Sequence, residues 1–153
     1  MRVVKRMVIY LLLGGKFTAV KDPEGRTALS RAAQFENSKS PVAMGFLLEL
    51  AWDIDARDTS GRTALSYTAA NVYYNASGIV KKLLEAGADL EIKDNSGKIP
   101  LFYATENRYS YEVVSELLQV GADANDKDIT DTAVLEYMVR SKWRGMDSPL
   151  VTM

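Results

Sequence analysis

The stretch DPEGRTALSRAA (Asp22–Ala33) returns 36 positions later as DTSGRTALSYTA (Asp58–Ala69), with the six letters GRTALS unchanged. A hexamer with one glycine, one arginine and two hydroxyl residues is not low-complexity sequence, so a structural unit is being built twice. Aligning on the opening aspartate adds DNSGKIPLFYAT (Asp94–Thr105) and a weaker DITDTAVLEYMV (Asp128–Val139), at spacings of 36, 36 and 34. A second signature runs in phase with the first: LLELAWDIDARD (Leu47–Asp58), LLEAGADLEIKD (Leu83–Asp94) and LLQVGADANDKD (Leu117–Asp128) each end on the aspartate that opens the next unit. The same offset back from Asp22 lands on LLLGGKFTAVKD (Leu11–Asp22), so the N-terminal apolar run falls in register with the others.

These two signatures closely resemble the ankyrin repeat family, whose unit reads roughly D-x-x-G-x-T-P-L-H-x-A-A, an inter-helix turn, then V-x-x-L-L-x-x-G-A-D. The resemblance spans nearly the whole chain and is carried most strongly by GRTALSRAA, GRTALSYTAA and KKLLEAGADLEIKD. It implies an all-α solenoid of stacked helix-turn-helix pairs joined by β-hairpin-like loops. The register divides a single domain, residues 1–153, into a partial N-terminal repeat (1–21), three repeats (22–57, 58–93, 94–127) and a partial C-terminal repeat with its tail (128–153).

The chemistry of each position fits that architecture. Thr27 and Thr63 stand where a short helix starts and their hydroxyls suit exposed N–H groups, while Pro100 suits a first turn that needs no intrahelical donor. Leu29, Leu65, Leu101 and Leu135 are expected to point inward, and the pairs Leu47/Leu48, Leu83/Leu84 and Leu117/Leu118 to line the second helix's buried face. Gly87 and Gly121 are placed to end that helix in a left-handed cap. The family's histidine is replaced by Ser30, Ser66, Phe102 and Glu136, so its hydrogen bonds must be made otherwise or lost. The units also exceed the usual length of about 33 residues, and the excess lies between the helices, where Phe35, Tyr73, Tyr74, Tyr109 and Tyr111 sit.

Composition narrows the function. The chain has 47% hydrophobic and 25% charged residues, an ordinary globular balance, and its net charge of −1 offers no general attraction for nucleic acid or an anionic membrane. With no cysteine and no histidine there is no disulfide, no thiolate or imidazole metal site, and no Cys nucleophile or His base. The aspartates of DIDARD (Asp53–Asp58) and DANDKDITD (Asp123–Asp131) do not form a calcium loop, because Arg57 and Lys127 occupy the fifth ligand positions. No metal, cofactor or catalytic residue is therefore expected. Basic residues followed by MVIYLLL (Met7–Leu13) imitate a secretory leader, and Asn75-Ala76-Ser77 is a glycosylation sequon that matters only after secretion. The repeat register favours a structural helix and a cytoplasmic or nuclear location.

Across the repeats, the position after the serine of TALS reads Arg31, Tyr67, Tyr103, Tyr137, and the position one helical turn on reads Gln34, Ala70, Glu106, Arg140. Tyrosine among a few charges is the composition of a recognition surface, although the same rings also suit packing between neighbouring helices. Arg31, Gln34, Tyr67, Tyr103, Glu106, Tyr137 and Arg140 are the groove candidates, with Arg57, Asp58, Lys93, Asp94, Lys127 and Asp128 at the hairpin tips. The resemblance implies a non-enzymatic adaptor or scaffold that binds a protein partner there. The alternatives are a terminal module of a longer array that extends it or self-associates through uncapped ends, and a small-molecule-binding protein or enzyme that uses the long loops, for which no motif speaks.

Overall fold

The computed structural model describes residues 20–35, 41–50, 53–71, 76–106 and 111–143. Among them lie seven helices: α1 (Ala28–Phe35), α2 (Pro41–Leu50), α3 (Ala64–Ala69), α4 (Ala76–Glu85), α5 (Pro100–Glu106), α6 (Tyr111–Gln119) and α7 (Val134–Trp143). Met7–Leu13, Tyr73, Tyr74, Asn75 and Tyr109 fall outside the described residues, as do the side chains of Phe35 and Trp143.

The helices form two layers. Helices α1, α3, α5 and α7 pack in succession along one, α2, α4 and α6 along the other, and the pairs α1–α2, α3–α4 and α5–α6 join them. The only β feature among the described residues is one antiparallel bridge, Lys127 with Ala133, at the base of a tip.

Helix ends follow from the residues present. Thr63, extended at φ −98° and ψ 172°, accepts the Ser66 N–H at 3.3 Å, and Thr27 accepts the Ser30 N–H at 3.2 Å. The serines that replace the family's histidine pair their hydroxyls with those same threonines, Ser30 with Thr27 at 3.1 Å and Ser66 with Thr63 at 3.3 Å, so these buried polar groups are satisfied. Phe102 takes the other solution: it is fully buried and meets the Tyr137 ring edge-on at 5.2 Å. Past α4, Gly87 at φ +92° donates to Leu84 C=O and Ala88 donates to Leu83 C=O; Gly121 at φ +101° and Ala122 repeat the pattern on Leu118 and Leu117. This double closure satisfies carbonyls that a helix end leaves free.

Met44, Leu65, Leu83, Ile99, Leu101, Phe102, Leu117 and Val134 are fully buried and form one core running along the stack. Each such side chain contributes about 1.5–3 kcal/mol, against about 1 kcal/mol for a hydrogen bond, so packing supplies the cohesion and the polar tips set register. Two leucines depart from expectation. Leu135 is 47% exposed while its neighbour Val134 is buried, and Leu118 is exposed beside buried Leu117. The equivalent residues of the earlier units, Leu29, Leu65 and Leu101, are buried on helices that each have a further first-layer helix packed after them, whereas α7 is the last first-layer helix described.

Tips touch tips through backbone as well as side chains. Thr59 N–H donates to Glu24 C=O at 3.0 Å, Asn95 N–H to Ser60 C=O at 2.9 Å, and Ile129 N–H to Ser96 C=O at 3.1 Å, one bond at each junction. The approach is close enough that a Cβ on Gly97 would stand 2.9 Å from Ile129 N. In the fourth unit the equivalent turn residue is Asp131, which takes the same left-handed φ of 60° despite its side chain.

Candidate partner-binding face

Each unit opens on an aspartate whose two oxygens act in different places. Oδ1 closes the turn: for Asp58 it accepts from Ser60 N and Arg62 N at 2.8 and 2.9 Å, for Asp94 from Ser96 N and Lys98 N at 2.8 and 2.9 Å, and for Asp128 from Thr130 N and Thr132 N at 2.8 and 3.1 Å. Asp22 does the same with Glu24 N and Arg26 N at 3.1 and 2.9 Å. Oδ2 reaches the first helix. It accepts the phenol of Tyr67 at 2.5 Å on Asp58, that of Tyr103 on Asp94, and that of Tyr137 at 2.9 Å on Asp128. In the first unit, where Arg31 holds the tyrosine position, Asp22 Oδ2 takes Arg26 Nε at 2.9 Å and Arg31 Nε at 3.8 Å. The tyrosine row therefore ties the turn to its helix in the last three units, and it does so with rings at one register position.

Between the rings stand cations from the turn position four residues after Asp58 and Asp94. Arg62 lies 5.9 Å from the Tyr67 ring centre and 4.4 Å from that of Tyr103; Lys98 lies 5.8 Å from Tyr103 and 4.9 Å from Tyr137. Each cation thus meets the ring of its own unit and of the next, an attraction worth about 0.5–2 kcal/mol apiece. Burial, reinforced by the hydrogen bond to Asp58, pushes the Tyr67 phenol up to about 12, and the charges of Arg62 and Arg26 oppose the rise. Burial and Asp94 raise Tyr103, while the hydrogen bond to Asp128 followed by burial raises Tyr137. Burial works to raise Asp128, but the hydroxyls of Thr130 and Tyr137 and the turn N–H groups outweigh it and hold the carboxyl at about 2.

At the outer edge the residue before each aspartate reaches one unit forward. Lys21 Nζ donates to Arg57 C=O at 2.9 Å, Arg57 Nη2 to Lys93 C=O at 2.9 Å, and Lys93 Nζ to Lys127 C=O at 3.4 Å and to Asp126 at 2.7 Å. Lys127 pairs with Asp131 at 2.9 Å. Farther in, the buried Asn71 amide donates to Ala33 C=O at 3.1 Å, tying the second unit to the end of α1.

The groove candidates fall on this one face. Tyr103 is buried, Tyr67, Tyr137 and Gln34 are half-buried, and Arg31, Glu106 and Arg140 are exposed. Gln34 accepts from Arg26 at 3.3 Å, Glu106 pairs with Lys98 at 2.5 Å, and Arg140 approaches Glu136 at 3.7 Å. Of the tip residues, Arg57, Lys93 and Lys127 are exposed, whereas Asp94 and Asp128 are buried and Asp58 is half-buried. Tyr111 lies apart as the first residue of α6, 82% exposed. Sequence reasoning missed Arg26, Arg62 and Lys98; the signal was a basic residue four positions after the aspartate in three successive units. No group of three or more His, Cys, Asp or Glu among the described residues is arranged to hold a metal ion, and no described helix is long and apolar enough to cross a membrane.

Stacked helix pairs, tips bonded to the matching tips of neighbouring units and a face assembled from equivalent positions define a helical repeat solenoid. A family model described as ankyrin repeats in three copies matches residues 1–94 and 46–128. The chain belongs to the ankyrin repeat family. None of the curated proteins compared with it matches.

Proposed function

We propose that the chain is a non-enzymatic protein-interaction module whose partner lies along the face of α1, α3, α5 and α7 and the adjoining tips. One observation carries this reading: the same backbone geometry recurs in every unit, yet the side chains it presents one helical turn beyond the tyrosine row differ, Gln34, Ala70, Glu106 and Arg140. A constant frame with changing chemistry at fixed intervals is how a repeat array encodes recognition. Packed helices stand about 8–10 Å apart and an extended chain advances about 3.3 Å per residue. An extended partner therefore meets a new unit roughly every third residue.

The test compares faces. A photoreactive residue placed at Arg31 or Arg140 is expected to crosslink a partner in cells expressing the chain, and the same residue at Glu85, at the end of α4, is not. Crosslinks confined to Glu85 would place the partner on the other layer and overturn the reading.

A second reading, self-association, is favoured by the exposure of Leu135 (47%) and Val139 (56%) on α7. A second copy that packs a helix there would continue the core by one layer. Light scattering across a concentration series then shows mass rising with concentration, and charge placed by Leu135→Lys abolishes the rise; a constant monomer mass rules this reading out.

A further inference from the structure

The three cations of the ladder are not equally provided for. Arg26 places Nε on Asp22 at 2.9 Å, Nη2 on Glu24 at 2.9 Å and Nη1 on Gln34 at 3.3 Å, so its whole fork is engaged within the chain. Lys98 is engaged by Glu106. In the second unit the positions of Glu24 and Gln34 hold Ser60 and Ala70, and Ala70 is exposed. Among the described residues, the carboxylate nearest Arg62 is Asp94, whose Oδ2 stands 3.8 Å from Nε and already accepts the Tyr103 phenol. Arg62 Nε is buried without a hydrogen-bond partner, while the side chain as a whole keeps 36% of its exposure.

A guanidinium held between two rings has already lost much of its conformational freedom, so a ligand that bonds it need not order it again. Its flat fork matches a carboxylate, which accepts two parallel N–H bonds. Exposed Ala70 carries only a methyl group where Gln34 and Glu106 stand in the neighbouring units. Asp58 and Asp94 lie close behind the rings and disfavour a dianion, so a singly charged acid fits better than a phosphate.

We infer that Arg62, flanked by Tyr67 and Tyr103 and uncovered at Ala70, is the anchor for one aspartate or glutamate side chain of a protein partner lying along this face. This rests on the interaction-module reading and names the partner's chemistry at the central unit. Such a partner presents an acidic residue that supplies from outside what Glu106 supplies from inside to Lys98.

A random peptide library displayed on phage and selected on the full chain tests the two separately. The selected peptides are expected to share one fixed Asp or Glu, and synthetic versions with that residue changed to Asn or Gln should bind about tenfold more weakly by fluorescence anisotropy. R62Q should weaken the acidic peptide by a similar factor and erase the difference between acidic and amide versions. Because R62Q removes ring contacts, A70E serves as the second variant: it fills an exposed position, should leave the thermal midpoint unchanged, and should block the acidic peptide to the same extent. Peptides that need no acid, or that bind A70E as well as the parent chain, overturn the anchor. If those same peptides still lose affinity with R31A or R140A, the groove reading stands without it. Peptides indifferent to every one of these substitutions, or a library that yields no binder, overturn both.

Discussion

A single aspartate in each unit holds a turn with one oxygen and a helix with the other, and Asp128 shows what that arrangement does to acidity. Its carboxyl is held at about 2 against an ordinary 3.8, so the unfolded chain takes up the proton before the folded one does. The stabilisation is complete above 3.8 and disappears as the pH falls through about 2. Asp128→Asn is therefore expected to cost about 1–2 kcal/mol at neutral pH, measured by urea unfolding, with the gap from the parent chain narrowing below pH 3.8 and closing near the lower value. A gap that persists unchanged through that window would mean the carboxylate's charge is not what its partners hold. The tyrosine row was legible in the sequence because Tyr67, Tyr103 and Tyr137 share a register position. Their partners were not: a bond spanning nine residues depends on how the turn folds back over the helix, which periodicity does not encode.

Turn and cap elements repeat faithfully, and the exceptions locate strain. Gly87 and Gly97 both have positive φ, but a Cβ at Gly87 meets open space while one at Gly97 runs into the next tip's backbone. Gly87→Ala should cost about 1 kcal/mol from conformation alone. Gly97→Ala should cost about 2–4 kcal/mol, since the junction must also move. Asp131→Gly should gain about 0.5 kcal/mol by relieving its left-handed backbone, because the exposed pair it makes with Lys127 contributes little. Thermal unfolding of the three variants checks the order, and equal losses for Gly87→Ala and Gly97→Ala would show that the tips do not constrain one another. The helix starts at Thr63 and Pro100 and the glycine caps could be read directly from residue chemistry. Leu135 and Leu118 could not, because burial belongs to whatever packs outside a residue, and an identical register position is covered in one unit and open in another.

At the scale of the whole chain, two layers of helices share one apolar core, while the face that α1, α3, α5 and α7 build is polar, ring-lined and internally bonded. The architecture followed from the repeat alone. The cation ladder did not, because Arg62 and Lys98 each meet a ring of the following unit as well as their own and Arg26 acts on Tyr67 of the following unit, a relation that appears only once the units are stacked. The outer edge has a direction too: Lys21, Arg57 and Lys93 each give a hydrogen bond forward and each of the last two residues' carbonyls receives one from behind. A unit copied from residues 58–93 and spliced in after residue 93 would find a donor waiting on one side and a carbonyl on the other. The chain is in that sense modular like a set of couplings with one sex at each end: it can be lengthened in the middle without redesign, but a unit cannot be reversed.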